Sequence, residues 1–161
     1  MLKVALIRPE IPGNTGNVGR TCSAVGAELH LIGPLGFELS ESRLRRAGLD
    51  YWKRLSPRVY ESLDRFLAVL PEDAPLLAFS SEGEKTHWEA SYREDSWLVF
   101  GGESGGLPAE LRARWRDRLY RVPMVADTRS LNLSAAAAVV IYEAQRVLGG
   151  SSRRDNGPAR S

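Results

Sequence analysis

One cysteine, Cys22, and two histidines, His30 and His87, leave this 161-residue chain almost without the raw material for cross-links or metal centres. A single thiol rules out an internal disulfide framework, and with two histidines there is no metal-ligand spacing, so no metal is expected. A reducing cytoplasm is the natural compartment. Long apolar runs are missing too: none approaches the ~20 residues of a membrane span, so no membrane partner is expected. The chain opens directly on a strand-like stretch, Lys3 to Ile7, and no signal peptide is expected there. Neither sign of charge dominates, since the formal net charge is +2. Clustering says more than the total: Arg43, Arg45 and Arg46 sit together, and Arg153 and Arg154 lie near the end. What is present, 43% hydrophobic and 26% charged residues, is the composition of one globular domain, large enough to bury roughly two thirds of its unfolded surface.

Apolar runs mark strands at Lys3 to Ile7, Glu28 to Ile32, Arg58 to Tyr60, Leu76 to Phe79, Trp97 to Phe100 and Leu119 to Val122. Helical patterns fall between or after them, at about Asn17 to Val25, Glu41 to Ala47, Leu63 to Leu70, Ala109 to Trp115 and Leu131 to Leu148. Gly26, Gly48, Pro71 and Gly149 read as stops and Pro108 as a start. This alternation predicts an α/β fold, a mostly parallel sheet with helices on both faces, in which ligands bind beyond the carboxyl ends of strands.

Three loops carry candidate chemistry. PEIPGNTGNVGRT, with Gly13, Gly16 and Gly19, reads either as a phosphate cradle or as a glycine-rich turn in which Asn14 or Thr15 caps the helix. Arg20 lies one turn into that helix, either poised toward an anion or solvated. FGGESGGLP follows an apolar strand, and Gly101, Gly102, Gly105 and Gly106 would allow positive φ and close main-chain approach to a ligand; alternatively Glu103 simply faces water. In VPMVADTRSLNLS, Asp127, Thr128, Ser130 and Ser134 are all ordinary caps; Ser130 is the expected N-cap, and Ser130 and Asn132 cannot both serve. Cys22 and His30 read as packing residues, and Trp52, Trp88, Trp97 and Trp115 as core or interface anchors.

In their order, PEIPGNTGN with the following Arg20, LRRAGLDYW at Leu44 to Trp52, FGGESGGLP and VPMVADTRSLNLS resemble the signature motifs of the SpoU (SPOUT) class of RNA 2′-O-ribose methyltransferases. The leading strand and LRRAGLDYW are most similar to the small single-domain branch acting on the wobble nucleotide, position 34, of tRNA. The resemblance covers Met1 to about Gly149. It implies one domain over 1–149 and a deep trefoil knot in the C-terminal part, a feature that connection rules argue against; the Gly, Ser, Arg and Pro-rich composition of residues 150–161 itself predicts a disordered tail. The resemblance also implies S-adenosylmethionine bound by the C-terminal loops, at Phe79, Gly101, Val122 and Ser130, with S-adenosylhomocysteine as product. Arg20 would act on the ribose 2′-hydroxyl, with Asn14, Glu103, Ser130 and Asn132 shaping the site. Because arginine is effectively always protonated, stabilising the developing alkoxide and gripping a neighbouring phosphate are the easier roles. Family members are homodimers, so tRNA would span two chains and meet Arg43, Arg45 and Arg46. Rival readings are a sister enzyme acting on another tRNA or rRNA ribose, a non-catalytic RNA-binding protein of this fold, and an NAD-binding Rossmann-type oxidoreductase with Glu38 near the ribose.

Overall fold

The computed structural model describes residues 1–40 and 51–149. Its organising strand is β1 (Lys3–Ile7), sequence KVALI, in which alternate side chains enter opposite cores. Val4 and Leu6 join Leu29, Leu31, Val18, Cys22, Val140 and Ile141 on one face, while Ala5 and Ile7 join Phe66, Leu107, Leu111 and Trp115 on the other. Each large side chain so buried contributes roughly 1.5–3 kcal/mol. A strand buried on both faces has no polar side, which is why it reads as an unbroken apolar run.

The remaining elements are α1 (Pro12–Val25), β2 (Glu28–Ile32), α2 (Trp52–Leu55), β3 (Arg58–Tyr60), α3 (Leu63–Val69), β4 (Leu76–Phe79), β5 (Lys85–Thr86), β6 (Trp97–Gly101), α4 (Ala109–Arg114), β7 (Leu119–Arg121) and α5 (Leu133–Val147). Single 3₁₀ turns follow β5 and α4, at His87–Glu89 and Arg116–Arg118. Among the described residues the strands form one seven-stranded sheet in the order β3-β2-β1-β6-β4-β7-β5, with parallel pairing throughout. The predicted α/β class is therefore observed. No helix among the described residues is long and apolar enough to cross a membrane.

Three local expectations need correction. The first glycine-rich stretch is not a loop: α1 starts at Pro12, so Gly13, Gly16 and Gly19 are helical. Proline at the first helical position has its φ preset and lacks an N–H that would be orphaned there. The N-cap is Ile11, with no side-chain cap, rather than Asn14 or Thr15. Gly19 is required by packing, since a Cβ there would stand 2.9 Å from the Trp52 ring and 3.1 Å from Leu55. At the other end of the chain, α5 is capped by Asn132 instead of Ser130; the Asn132 side chain accepts from Ser134 N. Finally, β5 is a two-residue strand with no apolar run to announce it. The helix expected at 41–47 and the tail at 150–161 lie outside the described residues.

Candidate active site

Neighbouring strands β6, β4 and β7 end side by side, and the segments that follow them enclose a cleft of about 440 Å³. Phe79, Ser80 and Glu82 come from the end of β4 and the residues after it, Gly101 from the end of β6, Gly102 to Gly106 from the loop that follows, and Val122, Met124, Ser130 and Asn132 from the loop after β7. Asn14 and Ile11 reach the same wall from the start of α1. Of the residues expected at a site, Asn14, Phe79, Gly101, Glu103, Val122, Ser130 and Asn132 are thus brought together. Arg20 is not in this wall. It is exposed on α1, with its guanidinium carbon 5.5 Å from the centroid of the Tyr51 ring. Arg43, Arg45 and Arg46 lie outside the described residues.

The glycines work differently from the expectation. Of Gly101, Gly102, Gly105 and Gly106, only Gly106 has a positive φ, at 61°. Gly101 is needed because the chain folds back on itself: a Cβ would sit 1.9 Å from the Gly106 carbonyl carbon and 2.1 Å from Leu107 N. The fold-back is fastened by Gly106 N donating to Gly102 O at 2.9 Å.

A chain of polar contacts joins the three motifs. The Glu103 carboxylate accepts from Glu10 N at 2.6 Å, Ile11 N at 3.0 Å and Asn14 Nδ2 at 3.3 Å. It therefore supplies, from a distant loop, the acceptors that the start of α1 lacks in its own side chains. Asn14 Oδ1 accepts from Asn132 Nδ2 at 2.9 Å, and Asn132 Oδ1 accepts from Ser134 N at 2.9 Å and Ser134 Oγ at 2.7 Å. Each amide consequently has a fixed orientation and keeps one N–H unspent in this network. A parallel tie, which the sequence did not signal, runs from Ser104 to Glu10: Ser104 Oγ and N donate to Glu10 Oε1 at 2.6 and 3.1 Å. Those bonds, the hydroxyl's first, hold the Glu10 carboxyl below its usual range.

Elsewhere, His30 and Cys22 are structural. His30 contacts Tyr60 Oη at 3.1 Å and Glu28 Oε2 at 3.3 Å, and burial pushes its pKa down to about 4. Cys22 is fully buried and its thiol is pushed up to about 12 by that burial, so it is no nucleophile. Trp52, Trp97 and Trp115 are core residues, whereas Trp88 is 65% exposed. Among the described residues no group of three or more His, Cys, Asp or Glu could hold a metal ion.

Chemically, the cleft offers main-chain edges, apolar walls from Phe79, Phe100, Val122 and Leu133, hydroxyls from Ser80, Ser81 and Ser130, and the carboxylates of Glu82 and Glu103. Arg112 lines it as well and pairs with Glu82 at 2.8 Å, so both signs of charge are present, and its volume and mixture suit a small, polar organic ligand with an apolar part. A dinucleotide is poorly matched, because the pyrophosphate would need the N-terminus of the first helix, and there the Glu103 carboxylate already takes the N–H groups of Glu10 and Ile11.

The model of the SpoU rRNA Methylase family matches residues 1–142. A tRNA (cytidine(34)-2′-O)-methyltransferase from Burkholderia cenocepacia (strain HI2424) is 48% identical over 151 residues, covering 92% of this chain and 97% of that protein. A solved structure described through the 2-OH methylation of C/U34 on tRNA is 50% identical with a TM-score of 0.87, covering 93% of this chain and 97% of its own. An AdoMet-bound rRNA methyltransferase from Sinorhizobium meliloti is 29% identical with a TM-score of 0.77, covering 91% of this chain but 56% of its own. With a family match spanning the sheet and every described wall of the cleft, the chain belongs to the SpoU rRNA methylase family.

Proposed function

We propose that this protein transfers a methyl group from S-adenosylmethionine to the ribose 2′-hydroxyl of nucleotide 34 of tRNA. The observation that carries the reading is the gathering of Asn14, Glu103, Ser130 and Asn132 into the wall of one cleft with Phe79, Gly101 and Val122. High identity over nearly the full length of a tRNA (cytidine(34)-2′-O)-methyltransferase supports the choice of tRNA and of position 34 over another ribose.

The cleft's chemistry fits the cofactor: apolar Phe79 and Val122 suit the adenine ring, the main chain at Gly101 and Val122 suits its edges, and the hydroxyls of Ser80, Ser81 and Ser130 suit the polar end. When bound, S-adenosylmethionine supplies an electrophilic methyl group. The protein must position a hydroxyl about 3–3.5 Å from it and help remove one proton. Asn14 and Asn132, locked by Glu103 and Ser134, offer their remaining N–H groups to orient the ribose. Glu103 already accepts three hydrogen bonds, most of its capacity, so its role is to clamp the first and second motifs together. Arg20 stabilises the developing alkoxide and grips a phosphate. Since it does not line its own chain's cleft, it serves the cleft of a second copy in a homodimer. Exposed Ile11, Val139, Tyr142 and Val147, on α5 and just before α1, supply apolar surface for that pairing.

The remaining parts of the reading are a single domain over 1–149, a C-terminal trefoil knot, a cytoplasmic location, and RNA contacts from Arg43, Arg45 and Arg46. Calorimetric titration with S-adenosylmethionine, followed by transfer of a labelled methyl group to unmodified tRNA, tests the activity. Micromolar cofactor binding with transfer is the expected result; a protein that binds NAD instead, or transfers no methyl group to tRNA, contradicts it.

A further inference from the structure

We propose that Arg8 contacts the RNA backbone beside the cleft, binding a phosphate of the substrate strand. The inference rests on the tRNA methyltransferase reading and extends it to a residue outside the cleft wall. Arg8 follows directly on β1, whose last residue, Ile7, pairs with Ile32 on one side and Gly101 on the other. It therefore stands at the carboxyl edge of the sheet, against the loop that opens the cleft. Its φ is 51°, in the left-handed region that a residue bearing a Cβ enters only at a cost and glycine enters freely. Two contacts hold it there. Arg8 N donates to Ile32 O at 2.7 Å, and Gly102 approaches Arg8 O so closely that a Cβ on Gly102 would stand 2.4 Å away.

The side chain carried at this strained position is exposed, and among the described residues it makes no ion pair and no side-chain hydrogen bond. The carboxylates next to it in the fold are engaged elsewhere: Glu10 by Ser104, and Glu103 by Glu10 N, Ile11 N and Asn14. Five guanidinium donors are left facing solvent beside a cleft that has to admit a polyanion, and their planar fork matches a phosphate. Strain kept where glycine would remove it, with a charged side chain unspent in the fold, assigns that side chain to a ligand.

Arg8→Gly and Arg8→Asn both fit the left-handed backbone, so either removes the guanidinium without moving the loop. Anisotropy of labelled, unmodified tRNA, titrated with wild type and each variant between about 50 and 200 mM salt, reads the contact. The expected result is roughly tenfold weaker binding and a salt slope reduced by about one in both variants, with S-adenosylmethionine affinity unchanged. Equal affinity and slope in wild type and variants overturn the Arg8 assignment alone, as does a parallel loss of S-adenosylmethionine affinity, which marks a structural role. A wild-type protein that binds no tRNA overturns the methyltransferase reading and this inference together.

Discussion

Gly101 and Gly105 sit four residues apart in one loop, yet they answer to different constraints. A Cβ at Gly101 collides with the chain's own backbone, whereas one at Gly105 meets nothing within 4 Å. Gly101→Ala is therefore expected to cost about 3 kcal/mol or more and to lose cofactor binding through the fold rather than by blocking a ligand. Gly105→Ala should stay within about 0.5 kcal/mol of the parent. Urea unfolding of both variants checks this, and equal stability would contradict it. Arg20→Ala removes an exposed side chain whose described contact is a cation–π approach to Tyr51, worth no more than about 1 kcal/mol. The variant should remain folded, bind S-adenosylmethionine and lose turnover; full methyl transfer by Arg20→Ala would end its catalytic assignment. At this scale the motifs were legible but their mutual geometry was not. Nothing local to Asn14 predicts that Glu103, 89 residues away, and Asn132, 118 away, will fix the orientation of its amide. Glu10 carries no local signal for the same reason: its partner Ser104 lies 94 residues on.

Elements read well where burial leaves a mark on composition. Strands buried on both faces are mostly apolar, so β1, β2, β4, β6 and most of β7 were visible as runs, while the two-residue β5 carries no such mark. Helix starts were harder. Glycine every third residue argues against helix by about 1 kcal/mol each, yet Gly16 and Gly19 are buried in α1, and Gly16 O takes the Tyr51 hydroxyl while Gly19 leaves room for Trp52. Ser130 and Asn132 are comparable caps on intrinsic grounds; the bond from Asn132 to Asn14 is a tertiary contact that local cap preference does not contain. Strand β2 also sets a pH dependence. His30 titrates near 4 when folded against 6.5 when free, because burial disfavours its charged form. Between those values the unfolded chain holds more protons, so stability should be complete above about pH 6.5 and fall progressively toward pH 4. Thermal melts from pH 7 to 4.5 should show a shallower decline in His30→Gln than in the parent; parallel curves would exclude His30 as the source.

For the whole molecule, one chain supplies a cofactor-sized cleft but leaves Arg20 outside it, and the proposed pairing with a second copy rests on the exposed apolar residues of α5. Val139→Lys with Tyr142→Lys should leave each chain folded, shift sedimentation from dimer to monomer, and abolish methyl transfer while cofactor binding is largely kept. A wild-type protein that sediments as a monomer and is fully active would contradict the shared site. The parallel sheet was legible from strand and helix alternation, whereas the proposed knot and pairing between copies leave no periodic trace in sequence and rest on the family resemblance alone. The central claim is tested most directly by methyl incorporation into one tRNA prepared in two forms, with a ribonucleotide or a single 2′-deoxynucleotide at position 34. Incorporation into the first and none into the second is the predicted result; equal incorporation into both would contradict it.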